Sequence, residues 1–488
     1  MLKYSKISIN GNSILSKYIY DNYGKINSTE TLNSSKTSGI RHKFFYKDHR
    51  NLIDSMEINS ISTDNQIGLN KKISYTYDDR ENITEIKNTN GNLIVSYFYD
   101  DSSQLIRENN NDLKQTIVYI YDSGSNIQEK KIYKFNDSED LSNFIPENII
   151  RYNYSDSNWK DKMTSYNSQK ITYDAIGNPV VYKDGWKLEW SCGKRLSKAL
   201  KIGYNIDYKY DDDGIRTQKT VNGTKTDYVT CGTKILAQKS GNEIITYIID
   251  GNDVYNGFDY NGKQYLYIKN IQGDIIGITD NSGNAVSEYV YDSWGKVISI
   301  TENTSEQIGH INPIRYRGYF YDNETEFYYL NARYYDPETC RFLNADEEDV
   351  FKEDNNISNY NLFSYCGNNP ITRSDPDGKF FWIAVGAAVV GTSSYFLGKQ
   401  YGLSGWKLAL VTAVGAGIGG LVGHWVTPLL KPVMCVFINW GHAVGAESRI
   451  AGYKFMLHWD HHRKGYHVVL QRLTQWGNWR TIFERGFK

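Results

Sequence analysis

Three Tyr-Asp pairs, Tyr77-Asp78, Tyr99-Asp100 and Tyr121-Asp122, follow one another at a spacing of 22 residues. Each sits in a similar setting: YTYDDREN, YFYDDSSQ and YIYDSGSN. Later copies, TYDAIGN (Thr172 to Asn178), YKYDDDG (Tyr208 to Gly214) and YVYDSWG (Tyr289 to Gly295), keep the pattern at looser spacing. A fixed period of this length marks one supersecondary unit stacked on its neighbours, which removes most single-core folds from consideration. Tyrosines two apart lie on one face of a strand. The Asp opens a turn by accepting from nearby backbone N–H groups, and Gly or Asn takes the positive φ that the turn needs. Hairpin signals recur at Asn90-Gly91, Asn222-Gly223, Asn261-Gly262, Gln272-Gly273 and Ser282-Gly283. Two strands of ordinary length and two turns fill about 22 residues. The 41 Tyr and 41 Gly against 8 Pro agree with a β-rich chain.

Charge divides the chain. Residues 379–488 hold 12 Lys+Arg and 3 Asp+Glu, whereas the preceding residues hold 43 and 53. An acidic body with a basic tail fits a carrier and a cargo. The tail's charge alone fits nucleic acid, an anionic membrane or attraction to the body. Cys192, Cys231, Cys340, Cys366 and Cys435 are scattered and form no CxxC pair, so buried thiols are expected rather than a disulfide framework or zinc knuckle. The opening MLKYSKISING has no apolar core and is not a signal peptide. Export therefore calls for a dedicated machinery or a further N-terminal region.

From Ile314 to Gly378 several motifs come in order: YRGYFYDNETEFYYLNARYYDPETCRF, then NAD (Asn344 to Asp346), then NLFSYCGNNPITRSDPDG. This stretch resembles the core that closes bacterial RHS/YD-repeat proteins. The repeats resemble those of RHS and insecticidal-toxin C proteins. The resemblance implies a sheet that spirals into a hollow shell, here a partial one of about 230 residues (Ile73 to Asn303), with the core plugging one end. It also implies that paired aspartates in the core cut the chain just after a DPxG motif, here Asp375-Pro376-Asp377-Gly378. The upstream aspartate maps to Asp346, and the cut falls near Lys379 or Phe380. Two carboxylates held close do not both ionise easily. The charged one can activate a water while the protonated one polarises the scissile carbonyl. Arg341 or Arg373 could anchor the pair, and Asp336 or Asp377 are alternatives for one carboxylate. Cys340 and Lys379 depart from the family's usual Gly and apolar residue. The plainer reading is an ordinary type I turn at Asp375–Gly378 and a solvated acidic run at Asp346–Asp349.

After the core, Phe380–Leu397 carries no charge, and Leu408–Leu430 has His424 as its only titratable group. As helices these would span ~27 and ~35 Å, against a bilayer core of ~30 Å. Gly415, Gly419 and Gly423 form one helical stripe, a glycine zipper that lets another backbone approach closely. The pair reads as a membrane hairpin or as soluble helices buried in the shell. The last forty residues differ. His458, His461, His462 and His467 lie within ten positions, on a hairpin expected to run as strands Tyr453–Trp459 and Tyr466–Leu473. With Asp460 they could hold a divalent metal or supply a general base. Trp459, Trp476, Trp479 and several Arg would suit nucleic acid. The alternative is a basic hairpin with its histidines in water.

The expected organisation is a lead-in region (1–66), a YD-repeat β shell (67–303), a self-cleaving core (304–379), a small α-helical, membrane-prone apolar segment (380–446) and a short basic β-rich tail (447–488). The fold class is mainly β. The expected function is the C-terminal part of an RHS-family polymorphic toxin, used in bacterial competition or against a host, with a membrane-active or nuclease tail. Expected partners are a cognate immunity protein, export machinery, and a target membrane or nucleic acid. Its place is secreted or at the cell surface. The shell and core call for no cofactor; a divalent metal is one reading of the tail. The alternative is an adhesive surface protein anchored by its tail.

Overall fold

The computed structural model describes residues 4–379 apart from 10–11, 34, 48–51, 63–68 and 347–360, and beyond 379 the backbone of several strands. The chain divides into two compact units, Met1–Gly420 and Leu421–Lys488.

In the first unit fourteen strands, β1 (Tyr4–Ile9) to β14 (Gln169–Lys170), make one sheet. Fourteen more, β15 (Thr172–Tyr173) to β28 (Val297–Glu302), make a second. In both, each strand pairs antiparallel with its sequence neighbour, most of them through turns too short for a crossover. The fold is mainly β, as the repeat predicted. Residues before Gln66 carry strands of the first sheet as well, through β5 (Ile53–Ser62). They use the same turn: Asp21 Oδ1 accepts from the backbone of Tyr23 and Lys25, each at 2.9 Å.

The Tyr-Asp pair has a physical explanation in two parts. Asp78, Asp100 and Asp122 each accept from the N–H two and four residues on, at 2.8–2.9 Å. The Tyr hydroxyl reaches back to the carbonyl of an earlier strand: Tyr77 to Ile53 (2.7 Å), Tyr99 to Ile83 (2.7 Å), Tyr121 to Leu105 (2.6 Å) and Tyr291 to Ile275 (2.8 Å). A β-bulge just before each of these tyrosines re-aims the side chain. The tyrosine two residues earlier (Tyr75, Tyr97, Tyr119, Tyr289) is buried in the core. Positive φ falls on Gly in later copies, such as Gly177 and Gly295, but on Glu81, Ser103 and Ser125 in the three regular ones. A left-handed non-Gly residue costs about 1–2 kcal/mol, which the two Asp hydrogen bonds offset. Asn222-Gly223 and Asn261-Gly262 have positive φ at both positions, as a type I′ hairpin requires.

The region after the second sheet is short-stranded and almost wholly buried. β29 (Phe320–Asp322), β30 (Phe327–Tyr329), β31 (Tyr334–Asp336) and β32 (Arg341–Phe342) form a four-stranded sheet, and β33 (Arg373–Ser374) pairs with β34 (Trp382–Ile383). One hydrophobic cluster joins Ile40 and Tyr119 of the first sheet, Phe258 of the second, and Tyr328, Tyr335 and Tyr365 of this region. Arg216 and Asp322, both fully buried, pair between the second sheet and β29, with Lys219 on the other Asp322 oxygen at 3.1 Å. The Arg216 guanidinium lies 4.4 Å from the Tyr329 ring and 4.9 Å from the Phe320 ring.

In the second unit β35 (Ile438–Asn439) pairs with β36 (His442–Ala443). β37 (Ala446–Ile450), β38 (Tyr453–Asp460), β39 (Gly465–Leu473) and β40 (Trp479–Phe487) form an antiparallel meander. The expected strands at Tyr453–Trp459 and Tyr466–Leu473 are present, each one residue longer. Of the two helices expected, the one at Phe380–Leu397 is contradicted at Trp382–Ile383, which pair as a strand with Arg373–Ser374; its other residues, and the helix expected around Gly415, Gly419 and Gly423, lie outside the described residues. Among the described residues no helix is long and apolar enough to cross a membrane.

Candidate functional site

The Asp375–Gly378 turn packs against the turn joining β30 and β31. Ala332 N–H donates to the Asp377 carbonyl at 3.1 Å. Gly378 has φ +74°, and a Cβ there would stand 2.8 Å from the Leu330 carbonyl oxygen, so only Gly fits. Arg333, on the same β30–β31 turn, organises what surrounds it. Its Nε donates to the Gly378 carbonyl. Its Nη2 is shared between Asp346 Oδ2 at 2.8 Å and Asp375 Oδ2 at 3.2 Å. Its Nη1 donates to the Leu362 carbonyl at 3.1 Å, and its guanidinium lies 3.6 Å from the Phe342 ring centre.

Asp375 is 2% exposed. Its backbone N–H donates to the Tyr319 hydroxyl at 3.0 Å, which also meets the Tyr365 hydroxyl at 3.1 Å. Its Oδ1 accepts from Gly378 N at 2.9 Å and Lys379 N at 3.1 Å, and Asp377 Oδ1 accepts from Lys379 N at 3.3 Å. Burial pushes the Asp375 carboxyl up to about 7; the Arg333 guanidinium pulls against this, while Asp377 and Asp346 add to it. The Gly378–Lys379 peptide is thus held at both ends, its carbonyl by a cation and its nitrogen beside a buried carboxyl. Such an arrangement can polarise a carbonyl and protonate a leaving nitrogen.

Asp346, Asp375, Asp377 and Lys379 therefore come together, a grouping that the family resemblance alone had implied, and Phe380 lies outside the described residues. Asp336 does not join them: its carboxylate takes the Tyr182 hydroxyl at 2.9 Å and faces Lys183 at 3.6 Å. Arg341 points to the repeats, donating to Asn126 Oδ1 (3.1 Å), the Tyr154 hydroxyl (3.0 Å) and the Asp161 carbonyl (2.7 Å). Arg373 donates to the Cys366 carbonyl at 3.4 Å. The arginine that touches both carboxylates is Arg333, which sequence reasoning passed over. A signal existed: Arg333 stands in a run of aromatic residues (NARYYD), and a buried arginine must be paired with an acid. Cys340, where related motifs carry Gly, has φ +63°, so the usual Gly suits the backbone there.

In the tail, His458 stands directly opposite His467 across β38 and β39, and Asp460 opposite Gly465. His461 and His462 lie outside the described residues.

The model of the Teneurin YD-shell family matches residues 2–371. The tRNA(Glu)-specific nuclease WapA of Bacillus subtilis subsp. natto (strain BEST195) is 34% identical over 288 residues, which cover 55% of this chain and 12% of WapA. The crystal structure of TcdB2-TccC3-Cdc42 superposes with a TM-score of 0.56 at 17% identity, covering 76% of this chain and 20% of that one. That of TcdB2-TccC3 without its hypervariable C-terminal region gives 0.55 at 17% identity, over 75% and 20%. With stapled Tyr-Asp turns running through most of the matched range, the chain is an RHS/YD-repeat protein and belongs to the Teneurin YD-shell family.

Proposed function

We propose that this chain is the carrier part of an RHS-type polymorphic toxin whose core cuts the Gly378–Lys379 bond and frees the residues beyond it as an effector. The observation that carries this reading is the grip on that one peptide by Arg333 and Asp375. In the proposed step a water, deprotonated by the Asp346 carboxylate, attacks the Gly378 carbonyl carbon. Arg333 stabilises the oxyanion. Asp375, kept protonated by burial, gives its proton to the Lys379 nitrogen as the C–N bond breaks. The products are the Gly378 carboxylate and the Lys379 amine. Buried core residues against both repeat sheets support a plug in a partial shell.

For the freed part we favour a nucleic-acid-directed effector over a membrane-active one. Its net basic charge suits phosphates, and the relative described above is named a tRNA nuclease. A toxin of this kind calls for a cognate immunity protein and an export route. The test is intact mass of the freshly purified chain. Wild type is expected as two fragments meeting at Gly378–Lys379, and Asp375→Asn and Asp346→Asn as one uncut chain. An uncut wild type, or fragments unchanged in both variants, sinks the self-cleavage reading.

A further inference from the structure

The groups around the Gly378–Lys379 peptide are themselves hung on repeat turns. Asp346 is fixed at three points: its N–H on the Leu362 carbonyl at 3.0 Å, its carboxylate on Arg333, and its own carbonyl on Lys194 Nζ at 2.6 Å. Lys194 belongs to the second sheet, in the turn between β17 (Lys187–Ser191) and β18 (Arg195–Lys201). Asn178, from the neighbouring Tyr-Asp turn, braces that turn through the Gly193 carbonyl at 2.8 Å.

The Leu362 carbonyl receives both Asp346 and Arg333, so its position sets the distance between the charged groups. It follows Asn361, whose amide donates to Asn126 Oδ1 at 2.7 Å and to the Gly124 carbonyl at 3.2 Å. These acceptors form the Asp122 turn of the first sheet. The next two turns back are engaged in the same way. Asn368 donates to Gln104 Oε1 and the Ser125 carbonyl, each at 2.8 Å, and Asn369 to Asn82 Oδ1 (2.8 Å) and the Ser103 carbonyl (2.9 Å). Three core asparagines thus bind three successive repeat turns, and a lysine from the other sheet binds the upstream aspartate. No atom of these four side chains bonds the Gly378–Lys379 peptide itself among the described contacts.

We propose that Lys194 and Asn361 are positioning residues that make cleavage conditional on both repeat sheets being seated on the core, so that the chain is cut only after the repeats have assembled. This rests on the self-cleavage reading above. The physical reason is leverage. A core whose turns are unseated leaves Asp346 and Leu362 free to drift, and a displacement of about 1 Å in a reacting group costs about a hundredfold in rate. A chain cut during synthesis would lose its cargo before a carrier existed.

The test follows cleavage of the full chain during cell-free translation, by gel and intact mass, over a range of pH. Lys194→Met and Asn361→Ala are expected to cleave at least about tenfold more slowly than wild type, and Lys194→Arg to recover most of the rate. In Lys194→Met the fall of rate toward alkaline pH is expected at lower pH, because a displaced Asp346 no longer raises Asp375. Thermal unfolding of each product reports damage to the fold. Wild-type rates in Lys194→Met and Asn361→Ala overturn the coupling, and if Asp375→Asn still blocks the cut, the self-cleavage reading survives. An equal loss in Lys194→Arg with an unmoved pH profile also overturns it, since that is the mark of simple structural damage. An uncut wild type removes both.

Discussion

Gly378→Ala is the sharpest probe of the proposed cleavage geometry. The backbone at Gly378 has φ +74°, a conformation that costs an L-residue about 1–2 kcal/mol. The added Cβ would meet the Leu330 carbonyl oxygen at 2.8 Å and Arg333 N at 3.0 Å. Both are backbone atoms of the β30–β31 turn, so no side-chain rotation relieves the contact. Overpacking of this sort adds about 1–3 kcal/mol, giving a total of ~2–5 kcal/mol against the conformation in which Arg333 holds the Gly378 carbonyl. At about 1.36 kcal/mol per factor of ten, cleavage should slow by roughly 30- to 5,000-fold. The assay is a time course of fragment appearance, read by intact mass, with the unfolding midpoint measured alongside. Because the core shares one hydrophobic cluster with both sheets, the unfolding midpoint separates a local loss at the turn from general destabilisation. A Gly378→Ala chain that cleaves within threefold of the wild-type rate would refute the argument, because the strained turn would then not be the reacting conformation.

Three further outcomes follow from the same structure. Asp375 is raised to about 7, so its proton is present below that value and lost as pH rises through it; cleavage should decline roughly tenfold per pH unit above about 7, and a rate still climbing at pH 9 would exclude Asp375 as the acid. Arg216→Met leaves the fully buried Asp322 with Lys219 as its remaining cation, a loss of about 3–5 kcal/mol expected as a clear drop in thermal midpoint; the double change Arg216→Met with Asp322→Leu should be milder than the single, which a denaturation series checks. Tyr99→Phe removes a 2.7 Å hydrogen bond to the carbonyl of the fully buried Ile83 and should cost about 1 kcal/mol, and an unchanged midpoint would mean that the hydroxyl does not tie successive repeats.

Much of this protein could be read before its structure. The 22-residue spacing fixed strand, turn and order together, because an Asp that staples a five-residue turn and a Tyr that bonds the previous repeat are local devices. The same held for the DPDG turn: short-range hydrogen bonds from the N–H groups of Gly378 and Lys379 to Asp375 Oδ1 follow from the ordinary chemistry of an Asp-opened turn. What the sequence could not reveal was which distant partner meets each buried charge. Arg341 and Arg333 look equivalent in the motif, eight residues apart, yet one binds the Asp122 turn and the other bridges Asp346 and Asp375. Asp336 likewise stood as an alternative carboxylate until burial placed it beside Tyr182 and Lys183. Local hydrogen bonds are set by residues within one turn, so they are written in order along the chain. The pairing of a buried arginine depends on how two fourteen-stranded sheets and a separate core pack, and only the tertiary structure decides that.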